Sequence, residues 1–203
     1  MMQPDNVLFV KHGDKYSEKH VNRLADQLKT YYPDSKYFCY TDDAEGVDIE
    51  CIPIYNKPKL RFWWNKLAMF SRQFPVQGTC LYLDLDMDVK KDFNGFLKWG
   101  GLNILNAYWK KDLYMDKHAY DVTINSSIIT WTAGEQAIVW EHFMTNRDYF
   151  MRKYEGIDRF LVHEKIKFGT HGNGIVNSIS NSKYDDAPVD MYNGMKYELR
   201  TSI

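Results

Sequence analysis

Residues 81–89 read LYLDLDMDV, and in this run the apolar side chains Leu81, Leu83 and Leu85 alternate with Tyr82, Asp84 and Asp86. An extended backbone sends every second side chain the same way, so Asp84 and Asp86 leave one face together. A bend at the strand end lets both carboxylates reach one hard divalent cation, and oxygen donors of this kind suit magnesium or manganese. The competing reading is a pair of solvated turn aspartates, since acids often terminate strands. The three leucines weigh against it. Asp88 continues the alternation and could be a third ligand, but it reads rather as a charge returning to the surface.

Such a pair must be carried by a strand that ends at a cleft, and the chain supplies the surrounding pattern. Asn6–Lys11 (NVLFVK) reads as a buried strand, and Ser17 caps a helix carrying Val21, Leu24, Ala25 and Leu28 up to Pro33. Lys36–Tyr40 is a second strand running into the turn Thr41, Asp42, Asp43. Ile49–Ile54 is a third, and its Pro53 favours a strand end or a sheet edge. Arg61–Phe74 has helical spacing through Trp64, Leu67, Ala68 and Phe70, and Gly78 breaks it before the strand that bears the aspartates. This alternation defines an α/β domain with a mixed, mainly parallel sheet flanked by helices, Rossmann-like in its N-terminal half. Ligands bind beyond the carboxyl ends of strands in such sheets.

The second half reads as short mixed segments after Asp92, the apolar stretch SSIITW, and helices near 135–144, 147–154 and around Phe160. Beyond Lys167 no periodicity remains, and the Gly-, Asn- and Ser-rich run FGTHGNGIVNSISNSKYDD is expected to be loop. One domain, 1–203, is the economical division, with a ligand-binding half over 1–90 and a second half over 91–203.

Composition excludes several classes. The chain has 203 residues, 44% hydrophobic and 26% charged, enough for one sizeable core. Its 26 basic and 27 acidic side chains give a net charge of -1, which lacks the basic footprint of a dedicated nucleic-acid binder. No stretch has the roughly 18 apolar residues a membrane span requires, and the amino end carries no signal pattern. Cys39, Cys51 and Cys80 form no Cys-x-x-Cys pair and lie in apolar stretches, so they read as reduced core thiols of a cytoplasmic protein. Aromatic residues reach 16%, and most are expected in the core; Trp99, Tyr108, Trp109, Tyr114 and Tyr120 are read as packing, with one or two exposed.

The segments VLFVKHGDKY, FCYTDD, WWNKLAMF, LYLDLDMDV, INSSIITW and GIDRFL occur in the order found in small bacterial and phage glycosyltransferases of GT-A fold, which the chain resembles over residues 6–180. It is similar in particular to the retaining, glycogenin-like enzymes with a D-x-D motif. The resemblance implies transfer of a hexose from a UDP-sugar, by default UDP-glucose or UDP-galactose, to an acceptor that is a glycan, a protein or a modified nucleic acid. It implies manganese or magnesium held by Asp84 and Asp86, and a place for the protein in the cytoplasm, the host's if a phage encodes it.

The same resemblance distributes further roles. Lys11, Gly13 and Tyr16 after the first strand and Asp42 after the second would form the nucleotide pocket, where tyrosine can stack on a base. Lys66 would approach the donor, while Trp64 packs in the core. Leu85, between the two aspartates, counts with the donor-binding residues. Asn125, Ser126 and Ser127 would face sugar hydroxyls, and Asp158 would orient the donor sugar and stabilise positive charge at its anomeric carbon. Two departures are visible. Arg159 stands where relatives often carry glutamine, and the late histidine of an F-H-G motif is missing, which leaves His171 as the nearby substitute metal ligand; His163 reads as helical surface. Two other readings compete: a haloacid-dehalogenase-like phosphatase, whose nucleophile and acid also form a D-x-D pair, and a catalytically silent nucleotide-sugar-binding protein.

Overall fold

The structure is a computed structural model and describes residues 3–54, 60–109, 122–179 and 185–192. The first half alternates as the pattern demands: β1 (Asn6–Lys11), α1 (Glu18–Lys29), β2 (Lys36–Thr41), β3 (Glu50–Pro53), a 3₁₀ segment (Phe62–Phe70), β4 (Thr79–Leu83) and β5 (Met87–Val89). There follow a short 3₁₀ turn (Asn94–Phe96), β6 (Asn103–Asn106), β7 (Ile124–Thr132), α2 (Ala137–Thr145), α3 (Arg147–Lys153), α4 (Ile157–His163), β8 (Gly169–Thr170), β9 (Val176–Ser178) and β10 (Val189–Met191).

Seven strands form one sheet in the order β3-β2-β1-β4-β7-β6-β8. Only β7 runs against the others, pairing antiparallel with β4 and β6. β3 is the edge strand, which accommodates Pro53 and its missing N–H. β1 lies at the middle of the parallel part, so Val7, Leu8 and Phe9 are all fully buried, the signature of a strand covered on both faces. Its alternate side chains feed two cores. Val7 and Phe9 meet Val21, Leu24 and Leu28 of α1, while Leu8 meets the layer formed by the 3₁₀ segment, α2, α3 and α4. That layer is largely aromatic: Trp64 stacks on Phe143 at 5.2 Å between ring centroids and meets Phe160 edge-on at 6.0 Å. Such ring pairs contribute about 0.5–1.5 kcal/mol each beyond the area they bury.

Two expectations change. The segment after Arg61 winds as a 3₁₀ helix rather than an α-helix. Three aromatic residues crowd its neighbourhood, and the Asn65 amide donates to the carbonyls of Phe62 (2.9 Å) and Leu60 (3.4 Å), competing with helical hydrogen bonds for the same oxygens. The tail beyond Lys167 is not loop throughout. It forms β8 at the edge of the large sheet and β9 and β10 of a second sheet ordered β5-β10-β9, with Ile175, Val176 and Val189 fully buried. Strands of two or three residues are too short to show a period, so their burial is set by what they pack against. β10 pairs with β5, so the tail is built into the region that follows the aspartates.

Cys39, Cys51 and Cys80 are free thiols, and burial pushes the thiols of Cys39 and Cys80 up to about 12. Tyr108 and Trp109 are buried and Trp99 packs against the core, as read; Tyr114 and Tyr120 lie outside the described residues. Among the described residues no helix is long and apolar enough to cross a membrane.

Candidate active site

β4 ends at Leu83, and Asp84 is the first residue beyond it, still tied to the sheet by its N–H donating to the carbonyl of Ser127 at 2.9 Å. Three donors converge on its carboxylate. The Lys66 ammonium lies 2.7 Å from Oδ1 and 2.9 Å from Oδ2, the Ser127 hydroxyl donates to Oδ2 at 2.7 Å, and the Tyr82 hydroxyl donates to Oδ1. Lys66 also donates to the carbonyl of Ser126 at 3.2 Å and sits 5.2 Å from the centre of the Tyr82 ring. Its side chain is only 8% exposed, which makes it a buried cation fixed from several sides rather than a solvated helical charge.

A register jump explains how Ser126 and Ser127 reach these positions. Ile104 of β6 pairs with Ile129, but the next residue, Leu105, pairs with Asn125 instead of Ile128. β7 therefore bulges at Ser126–Ile128. A bulge turns side chains and N–H groups out of the ladder, and here it frees the N–H of Ser126 to donate to Asp158 Oδ1 at 2.9 Å. Ser127 N–H turns to Asn125 Oδ1 at 2.9 Å. Asp158 lies in the first turn of α4, so the chain Asp158–Ser126–Lys66–Asp84 links α4, β7, the 3₁₀ segment and β4.

Asp86 is 7% exposed, and its carbonyl accepts from the N–H of Tyr192 just after β10, at 3.0 Å. Leu85 between the aspartates is 2% exposed and buried in the core, so only its backbone can face a ligand. Tyr16 belongs to the same neighbourhood: burial, then the charges of Asp86 and Asp84, raise its phenol. Tyr82 is raised by burial and by the same two carboxylates.

On the β1–β2 side the structure pairs the residues read as a nucleotide pocket with one another. Lys11 donates to the carbonyl of Asp43 at 2.8 Å and to its Oδ2 at 3.0 Å, so its ammonium locks the β2 turn. Asp43 is held below its usual range by the N–H of Glu45 and by Lys11. Asp42 accepts from the N–H of Gly13 at 3.2 Å. Gly13 has φ +65° and open space where a Cβ would stand, a conformation that favours glycine and leaves its backbone accessible.

His171 requires a correction. It is 2% exposed, its N–H donates to the carbonyl of Ile104 at 3.0 Å, and its Nδ1 accepts from the N–H of Lys98 at 3.2 Å. It follows β8, and β7 and β6 stand between that strand and β4. The structure does not bring it to the aspartates; its imidazole completes the hydrogen bonding of the Lys98 turn instead. Among the described residues no group of three His, Cys, Asp or Glu side chains gathers to hold a metal. The carboxylates that follow β4, Asp84 and Asp86, are the ones that could hold an ion. A magnesium-type ion tolerates two protein carboxylates when diphosphate and water complete its shell, and the hard oxygen donors of Asp84 and Asp86 fit such an ion. Asp88 is occupied elsewhere, accepting from Arg23 at 2.7 Å and Gln27 at 2.5 Å of α1.

The sequence reading passed over Tyr82, although its spacing of two from Asp84 on one strand is the signal that both share a face. The bulge at Ser126 left no such signal.

No protein-family model and no curated protein matches the sequence. Solved structures do. The galactosyltransferase LgtC, solved with donor and acceptor sugar analogues, superposes with a TM-score of 0.63 at 12% identity, over 94% of this chain and 87% of that one. The glycosyltransferase GlyE of Streptococcus pneumoniae TIGR4 gives 0.65 at 11% identity over 92% of this chain, which spans 54% of GlyE. A glycosyltransferase involved in glycosylation of the major capsid of PBCV-1 gives 0.58 at 13% identity over 94% of both chains. The chain has the GT-A glycosyltransferase fold. At these identities the likeness is one of architecture, and activity must be argued from the site.

Proposed function

We propose that the protein is a metal-dependent glycosyltransferase that moves a hexose from a UDP-sugar, UDP-glucose or UDP-galactose by default, to an acceptor hydroxyl with retention of configuration. The observation that carries this reading is the constellation at the end of β4: a buried lysine and two carboxylates at one strand tip, joined through Ser126 to a third carboxylate, Asp158. The haloacid-dehalogenase alternative loses its support, because the fold is GT-A and Asp84 stands on the fourth strand beside the antiparallel β7.

The roles follow from charge. Breaking the anomeric bond leaves negative charge on a diphosphate and positive charge on the sugar. Lys66, already desolvated and fixed, stabilises the departing phosphate without reorganising. Asp84 and Asp86 hold manganese or magnesium, which as a Lewis acid would neutralise the diphosphate. Asp158, held by the N–H of Ser126, presents the negative charge that suits the anomeric carbon. Asn125 and Ser126 stand beside it where sugar hydroxyls would lie. Gly13, Tyr16 and Asp42 take the nucleoside, with Lys11 as the strut that fixes the Asp43 turn beneath it. Retention follows if the leaving phosphate accepts the acceptor's proton on the same face. The second half, 91–203, supplies the acceptor side, with glycan, protein or modified nucleic acid as the candidate acceptors.

A donor panel read by thermal shift and mass spectrometry, with and without manganese, tests the reading. Asp86→Ala is expected to abolish manganese-dependent UDP binding. Unchanged UDP affinity in manganese would sink the proposal, and tight binding without turnover over many acceptors would mark the silent binding protein instead.

A further inference from the structure

Phe62 and Trp63 share with Tyr149 of α3 an exposure that is unusual in a layer whose other large rings are mostly buried. They are 68% and 47% exposed, while the next residue, Trp64, is buried at 3%. Phe62 also has φ +49°, a left-handed conformation in which a bulky side chain is a genuine outlier. Its ring gains little burial in return. Strain of this kind persists where the surrounding structure imposes it, and it concentrates at ligand clamps.

The position of the pair gives the strain a use. A 3₁₀ helix has three residues per turn, so Trp63 and Lys66 fall on one face, roughly 6 Å apart along the axis. A Cβ added at Gly156 would stand 3.2 Å from the indole Nε1 of Trp63, so the indole lies against the residue that opens α4. Two residues later comes Asp158, which accepts from Ser126, whose carbonyl accepts from Lys66. Trp63 is thus tied through Gly156 and the first turn of α4 to the constellation that holds Lys66 and Asp84. The two exposed rings are neighbours, 5.5 Å apart between centroids and tilted by 30°. The Trp63 end lies against the start of α4, which packs on β7, whereas Gly13 follows β1 and Asp42 follows β2, across β4 from β7.

We propose that Phe62 and Trp63 form the platform on which the acceptor's sugar ring stacks, so that the acceptor is a carbohydrate presenting an apolar face of C–H groups to the two rings. This deepens the transferase reading and rests on it for the word acceptor; sugar binding at the platform can be measured without it.

The test is saturation-transfer NMR on the full chain with the methyl glycosides of glucose, galactose, mannose and N-acetylglucosamine and with lactose and maltose, run beside UDP with manganese. At least one sugar is expected to be saturated on one ring face. Trp63→Ala should weaken that sugar at least fivefold while UDP binding in manganese persists, and Trp63→Phe should restore most of it. Phe62→Gly removes the strained ring from a left-handed position, so it should raise the melting temperature and yet weaken the sugar, a pairing that a merely structural role does not produce. The proposal is overturned if no sugar of the set is saturated by the wild type, if Trp63→Ala binds it equally well, or if these substitutions dissolve a dimer without touching the sugar signal. Sugar binding at Trp63 in a protein that ignores every UDP-sugar would instead overturn the transferase reading and leave the platform standing.

Discussion

Asp84 accepts from a lysine, a serine and a tyrosine at once, and a carboxylate so surrounded is pinned in one orientation. Lys66 is the partner whose loss is most informative. On the proposed mechanism Lys66→Ala removes the charge that stabilises the departing phosphate, and turnover is expected to fall about 10²–10³-fold, as for the loss of one preformed transition-state donor. Steady-state kinetics with a saturating UDP-sugar checks this. His171 acts on stability instead. Burial, and then the nearby Lys98 charge, depress its pKa from 6.5 to about 4, so the folded protein binds fewer protons than the unfolded chain between those values. Its neutral form is accommodated fully above pH 6.5, and stability is lost as the pH falls from there towards 4. The loss amounts to roughly 3 kcal/mol at most. His171→Asn keeps an acceptor for the Lys98 N–H and should flatten this acid limb in urea titrations between pH 4 and 7.

At the scale of elements, β4 must begin in the right place for Asp84 to end in the right place. Gly78, with φ +89°, starts it, and a Cβ there would stand 2.4 Å from Asp5 Oδ2, the oxygen that accepts from Thr79 N–H at 2.7 Å and Thr79 Oγ1 at 2.8 Å. Gly78→Ala combines a left-handed backbone with a collision and is expected to cost about 2 kcal/mol or more, measurable by chemical denaturation. What could be read without coordinates follows the same logic. β1, β2 and β4 are five or six residues long and mostly buried, so apolar runs announce them. β8, β9 and β10 are two or three residues long, and their identity as strands depends on β5 and β6, far away in the chain. The Asp84–Asp86 pair was legible because alternation with leucine is a local pattern. The bulge at Ser126 was not, because it arises from the unequal demands of β4 and β6 on the strand between them.

The molecule as a whole is closed by its tail. β10 pairs with β5 and β9, Lys90 meets Asp190 at 2.8 Å, and Tyr192 N–H reaches the carbonyl of Asp86. A truncation that ends at Pro188 removes β10 and leaves the backbone of Asp86 without that tie. Such a protein is expected to melt at a lower temperature and to lose at least tenfold in manganese-dependent UDP affinity, both readable in one thermal-shift titration.

The contact between Lys90 and Asp190 spans 100 positions of sequence. Pairings over such a span come late in folding, because the entropy of closing a long loop is lost before the contact rewards it. Asp84 is tied to β7 through Ser127, whereas Asp86 is tied through its carbonyl to the segment after β10, so the two carboxylates depend on separate distant parts of the chain. On the proposed reading, donor binding would therefore demand that β10 be docked on β5, and a chain with that pairing undone would leave activated sugar untouched.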